Sequence, residues 1–134
     1  METLRTFIAL ELPEPLRREV IRLQQRLMQH RFGVRWVKPE GLHLTLKFLG
    51  ATTAEQAARV AGVLASAACG MAPFSMTLTG MGAFPNSRNP KVLWLGVAVD
   101  DRLRALQTRL ETELDPLGFP RDRRPFTPHP TLGR

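Results

Sequence analysis

Residues 43 to 50 read His-Leu-Thr-Leu-Lys-Phe-Leu-Gly, and they alternate. Successive side chains of an extended chain point to opposite faces. His43, Thr45 and Lys47 therefore fall on one side, and Leu44, Leu46 and Phe48 on the other. This period of two predicts a half-buried strand with an apolar back and a polar front. The phrase returns as His129-Pro130-Thr131-Leu132, 86 residues further on. The chain holds 3 histidines, and two of them stand in matching His-x-Thr-Leu strings. Any fold this chain adopts must accommodate two such strands, and the pairing predicts that they face each other across one groove.

The intervening sequence supplies the remaining elements. Residues 4 to 12 predict a strand that ends at Pro13. Pro15 suits a first helical turn, and Leu16, Val20, Leu23 and Leu27 form the apolar stripe of a helix over 14 to 31, stopped by Gly33. Residues 34 to 37 predict a short extended piece. Pro39 and Gly41 then turn the chain into the first motif, whose strand Gly50 is expected to close. Thr52 and Glu55 stand in capping-box relation ahead of an alanine-rich helix over 53 to 69. Residues 74 to 82 alternate as a strand, and 83 to 91 predict a loop. Residues 92 to 99 are nearly all apolar and predict a central strand. Asp100 can cap a helix whose stripe is Leu103, Leu106, Leu110 and Leu114, ended by Gly118. Strand, helix, turn and motif strand thus occur in 4–46 and again in 92–132. The repeated order predicts two such units, related by a pseudo-twofold axis, within one domain over 1–134.

With 134 residues, the chain has the length of one domain with a real core. Its formal net charge of +7 favours a polyanionic partner, nucleic acid first, although solubility alone would also account for it. Arg121, Arg123 and Arg124, just before the second motif, fit an RNA rail or a solvated basic loop. Cys69 is single, so an internal disulfide is excluded and a reducing compartment is expected. No apolar run approaches the roughly 20 residues that span a bilayer. The start of the chain does not resemble a signal peptide, so a cytoplasmic protein is expected, away from membranes. Neither motif contains Cys, Asp or Glu, and no His-Glu-x-x-His or paired-cysteine spacing occurs; no metal is expected. His30 lies near a helix C-terminus, where an imidazolium is favoured by the dipole. Trp36, Trp94, Phe84 and Phe126 are of a size to stack on a base or to fill a core.

A histidine and a threonine two residues apart on one strand face carry complementary chemistry. The imidazole exchanges a proton near neutral pH. The hydroxyl beside it can bond a phosphoryl oxygen without competing for that proton. Two such pairs around one phosphorus would form a clamp, with one histidine as base on the attacking side and the other as acid on the leaving side. Lys47 or Arg134 could offset charge on the equatorial oxygens. This is a metal-free route to in-line displacement at a phosphodiester.

At these residues the chain resembles the two-histidine (2H) phosphoesterase superfamily. Within it, the sequence is similar to the bacterial and archaeal RNA 2′,3′-cyclic phosphodiesterases, also called 2′-5′ RNA ligases. The resemblance rests on 43–50 and on His-Pro-Thr-Leu-Gly-Arg at 129–134. Arg5-Thr6-Phe7-Ile8-Ala9, Arg35-Trp36-Val37, Gly82-Ala83-Phe84-Pro85 and Val92-Leu93-Trp94-Leu95-Gly96 support it. It implies a bilobal α+β fold with antiparallel sheets flanking a central groove and helices packed outside. The implied reaction opens a terminal 2′,3′-cyclic phosphate on RNA to a 2′-phosphate, without metal or nucleotide cofactor. Reversible 2′-5′ joining of tRNA halves is also associated with the family.

Carried over by position, His43 and His129 become the acid–base pair; His129 activating water and His43 protonating the leaving 3′-oxygen is the preferred assignment, and the near-symmetry of the motifs allows the reverse. Thr45, Thr131 and Arg134 become phosphate contacts. Lys47, Arg123, Arg124 and Phe84 are weaker candidates for RNA contact. Family members normally continue past the second motif, so the chain is expected to lack some C-terminal elements, leaving an end strand exposed for pairing with another chain. Arg134 lies five residues after His129, so a bend or bulge at Gly133 is required to bring both to one side. The competing readings are an RNA-binding domain without turnover and a related enzyme acting on small cyclic nucleotides or 2′-5′ oligonucleotides.

Overall fold

The computed structural model describes every residue except 87, 89 and 99. Parts of the expected 83–91 loop and the last residue of the expected 92–99 strand lie outside the described residues. In chain order the elements are β1 (Leu4–Glu11), α1 (Glu14–Met28), a 3₁₀ turn (Pro39–Gly41), β2 (His43–Thr52) and α2 (Ala54–Ala68). They are followed by β3 (Thr77–Phe84), β4 (Val92–Ala98), α3 (Asp101–Leu114), a 3₁₀ turn (Asp115–Leu117) and β5 (Thr131–Gly133). The α+β expectation holds, and strand, helix, turn and motif strand do recur in the predicted order.

β1 and β2 form a two-stranded sheet, while β3, β4 and β5 form a three-stranded antiparallel sheet in that order. The apolar strand β4 is central, as its composition predicts. Its pairing with β5 slips by one residue. Leu93 lies opposite Gly133 but Trp94 lies opposite Thr131, so Leu132 is the extra residue of a bulge.

Several boundaries differ from the sequence reading. α1 stops at Met28, well before Gly33. The amides of Gln29 and His30 bond back to the carbonyls of Arg26 and Leu27, which tightens the last turn, and Arg31 then adopts φ 52°. β2 does not close at Gly50 but runs on to Thr52, with Gly50 inside it at φ 74°. The capping box of α2 belongs to Thr53 and Gln56, one residue later than expected. Thr52 is instead buried and shares a 2.6 Å hydrogen bond with Thr6. Both Thr-x-x-Glu and Thr-x-x-Gln fit the capping pattern, and burial of Thr52 in the sheet decides between them. β3 begins at Thr77 and extends to Phe84, displaced toward the expected loop.

The chain divides into two compact units. One comprises Met1–Ile8, Leu46–Met76 and Val99–Thr127; its apolar interior includes Val60, Ala67, Leu103, Leu110, Leu114 and Phe119. The other comprises Ala9–Thr45, Thr77–Ala98 and Pro128–Arg134, and it buries Val20, Leu27, Leu44, Leu93, Leu95 and Leu132. Each fully buried leucine contributes on the order of 2 kcal/mol through removal of apolar surface from water. No helix among the described residues is long and apolar enough to cross a membrane.

Candidate active site

The two His-x-Thr strings lie in the same compact unit. Leu42, Leu44 and Leu46 are buried, so alternation along the start of β2 leaves His43 and Thr45 half-buried on the other face. The second motif repeats the arrangement. Pro128, Pro130 and Leu132 are buried, Thr131 is half-buried and His129 is exposed. In both motifs an apolar back seats the strand and sets the imidazole and hydroxyl on the other face.

The sheet around the second motif is built for a large ring. Trp94 stands opposite Thr131 in β5 and opposite Gly82 in β3. Its indole meets the His129 imidazole edge-on, with ring centroids 5.7 Å apart at 63°. A methyl group at Gly82 would overlap the Trp94 ring, so the absence of a side chain there makes room for the indole. Gly133 is confined in the same way, since a Cβ would come within 3.0 Å of the Arg35 carbonyl oxygen.

β5 is flanked on both sides. Leu93 and Trp94 pair with it from β4, and the expected extended piece around Trp36 pairs with it from the other side through a bridge to Gly133. Arg35 and Arg134 exchange two backbone hydrogen bonds at 2.7 and 3.0 Å, and the Val37 amide donates to the Leu132 carbonyl at 2.8 Å. This corrects the expectation of an exposed end strand, because residues 35–37 occupy that edge. It also joins the motifs physically. The segment that leads into His43 is hydrogen-bonded to the strand that carries Thr131.

Gln24 closes this junction. It is 3% exposed, on the core-facing side of α1 between Val20 and Leu27, and its Nε2 donates at 3.0 Å to both the Val37 and the Leu132 carbonyls. Sequence reasoning passed over it by counting only apolar residues in the α1 stripe. The available signal was a carboxamide four residues after Val20 and three before Leu27, where a polar group must find partners.

Lys47 does not join the polar front of β2. Its side chain is buried, with Nζ 3.0 and 2.9 Å from the two Glu111 carboxylate oxygens and 2.9 Å from the Pro120 carbonyl. Phe48, expected on the buried back, is 77% exposed, with its ring 6.2 Å from that of Phe7. Burial here follows partners rather than polarity. A carboxylate satisfies the ammonium inside, while the phenyl ring lies near another exposed ring. Lys47 is therefore committed to Glu111 and is not a basic group presented to a ligand.

Of the other candidates, Arg134 and Phe84 belong to the unit that holds both motifs, whereas Lys47, Arg123 and Arg124 belong to the other. Arg134 is exposed, and the bulge anticipated near Gly133 is present at Leu132. Phe84 is exposed at the end of β3. Arg123 and Arg124 are exposed, and Arg124 lies 3.7 Å from Asp122. The Arg124 backbone amide and, secondarily, its charge hold the Asp122 carboxyl below the usual aspartate range. Among the described residues, no three His, Cys, Asp or Glu side chains gather into a group able to hold a metal ion.

The chain is 38% identical to the RNA 2′,3′-cyclic phosphodiesterase of Thermotoga maritima over 98% of its own length and 70% of that protein's. It is 39% identical to the RNA 2′,3′-cyclic phosphodiesterase of Methanothermobacter thermautotrophicus over 97% and 70% of the respective lengths. Among solved structures, the TT0787 protein of Thermus thermophilus superposes with a TM-score of 0.85 at 34% identity, covering 98% of this chain and 74% of that one. E. coli LigT complexed with 3′-AMP superposes with a TM-score of 0.77 at 30% identity, over 99% and 74%. The model of the LigT-like phosphoesterases matches residues 10–94. With near-complete coverage by these relatives and a duplicated His-x-Thr motif gathered in one compact unit, the chain belongs to the LigT-like phosphoesterase family of the two-histidine superfamily.

Proposed function

We propose that this chain is an RNA 2′,3′-cyclic phosphodiesterase that opens a terminal cyclic phosphate to a 2′-phosphate. The observation that carries the reading is the second His-x-Thr strand hydrogen-bonded to the segment that enters the first, through Val37 and Leu132. His129 removes a proton from water as the water oxygen attacks phosphorus. The bond from phosphorus to the 3′-oxygen breaks, and His43 supplies the proton that the departing oxygen takes up. The Thr45 and Thr131 hydroxyls donate to the nonbridging oxygens, and the Arg134 guanidinium offsets their charge in the transition state. Water and one cyclic phosphodiester are consumed, and one 2′-phosphomonoester with a free 3′-hydroxyl is formed. The edge of Trp94 limits how the His129 ring can rotate, which favours one orientation for proton transfer.

The formal charge of +7 supports an RNA longer than a mononucleotide as substrate, including the ends of cleaved tRNA. With a 5′-hydroxyl RNA end attacking in place of water, and the 3′-oxygen leaving as before, the same groups would join two RNA ends through a 2′-5′ linkage; attack of the freed 3′-hydroxyl on that linkage is the reverse step. A lone, exposed Cys69 suits a reducing cytoplasm. The recurring order of strand, helix, turn and motif strand supports two pseudo-symmetric halves.

The deciding experiment incubates a short RNA ending in a 2′,3′-cyclic phosphate with the chain in EDTA and identifies the position of the product phosphate. A 2′-phosphate that disappears in both His43→Ala and His129→Ala is expected. RNA binding without any turnover by the folded wild-type chain would replace this reading with that of a binding domain. Turnover of cyclic mononucleotides alone would move the substrate class to small molecules.

A further inference from the structure

We propose that Gln24 is a positioning residue for the second His-x-Thr motif, acting through the carbonyls of Val37 and Leu132; the inference rests on the phosphodiesterase reading above. Leu132 is the bulge residue of β5, directly after Thr131. A bulge leaves one residue out of the regular ladder and re-aims the side chains beside it, so its backbone needs partners other than the neighbouring strand. The Leu132 carbonyl finds two, the Val37 amide at 2.8 Å and the Gln24 carboxamide at 3.0 Å. The same carboxamide nitrogen donates at 3.0 Å to the Val37 carbonyl. One buried nitrogen thus holds a carbonyl from each side of the pairing between residues 35–37 and β5. It fixes their separation and the phase of the bulge.

Both sides of this junction lead to the proposed chemistry. Thr131 immediately precedes Leu132, and Val37 lies six residues before His43, with only Lys38, the Pro39–Gly41 turn and Leu42 between. A Cβ at Gly41 would sit 2.9 Å from Val37 Cγ1, so the turn that leads into β2 lies against the Val37 side chain. An apolar side chain at position 24 would fill the same volume but could not hold either carbonyl. Gln24 acts through the backbone, on where the Thr131 hydroxyl and the start of β2 are held.

The test is Gln24→Met, which keeps the side-chain length and removes the donor, beside Leu27→Ala, which weakens the same helix without touching the junction. The substrate is the short RNA with a cyclic phosphate end, and amide exchange at Val37 is followed in parallel. Gln24→Met is expected to lower kcat about tenfold with KM within about twofold of wild type, while Leu27→Ala keeps kcat at temperatures where it is folded. The Val37 amide should exchange about tenfold faster in Gln24→Met. If that variant does not fold, Gln24→Asn, which keeps the donor but is too short to reach both carbonyls, takes its place. Wild-type kcat in the folded Gln24 variant, or a loss equal to that of Leu27→Ala, overturns the inference. A wild-type chain without turnover fails the phosphodiesterase reading alone. Val37 exchange then decides, unchanged protection in the variant counting against a role for Gln24 and faster exchange supporting it.

Discussion

Trp94 packs its indole edge-on against His129 while lying over the position where Gly82 has no side chain. A glycine on β3 thus sets the place of a ring on β4, and that ring abuts a proposed proton-transfer group just before β5. Gly82→Ala should displace the indole. Overpacking of this kind costs about 1–3 kcal/mol, and kcat should fall about tenfold as His129 loses its neighbour. Thermal melts, tryptophan fluorescence and steady-state kinetics on the variant would check both effects; an unchanged kcat would show that Trp94 does not guide the imidazole.

A reaction that needs one neutral and one protonated imidazole has a rate maximum, with a fall on each side. The dependence of kcat/KM on pH is expected to be bell-shaped for the wild type. Thr45→Val and Thr131→Val should lower the whole curve without moving it, since the hydroxyls bind oxygen and carry no transferred proton. A shifted maximum in either threonine variant would assign that hydroxyl a part in proton transfer.

Lys47 and Glu111 form a buried pair, and removing one partner leaves the other charge uncompensated. Lys47→Met should cost about 3–5 kcal/mol in urea unfolding. Pairing it with Glu111→Leu should restore much of that loss, because two apolar groups leave no buried charge behind. Additive losses in the double variant would argue that the two residues are not coupled.

The Asp122 carboxyl is held low mainly by the Arg124 backbone amide, and the Arg124 charge is a lesser cause. Arg124→Pro, which lacks that amide, should therefore raise the Asp122 pKa toward the ordinary value more than Arg124→Ala does. Carboxyl NMR titration of both variants reads this directly. Because the folded value is depressed, any stabilisation from Asp122 is present above the unfolded value and is lost as pH falls through the folded one.

Much of this was legible in the sequence because it rests on local periodicity. The alternation at 43–46, the central strand at 92–98 and the Asp100 cap are each set by residues within one turn or strand. The choice of Thr53 over Thr52 as cap was not legible, since it depends on Thr6 being across the sheet to engage Thr52. Lys47 misled for a similar reason. Its partner Glu111 lies on another element, 64 residues away, and no spacing rule connects them. The two histidines announced themselves by a repeated phrase, whereas Gln24 carries no phrase at all. Its significance appears only where α1 meets two carbonyls from distant parts of the chain.

Each compact unit is assembled from three separate stretches of chain, and β1 and β2 each contribute residues to both. No single cut in the polypeptide can therefore release either unit whole. Limited proteolysis should yield nicked protein that stays associated rather than two separable fragments. Shuffling or circularly permuting this chain would have to respect an interleaving that the linear map of its motifs conceals.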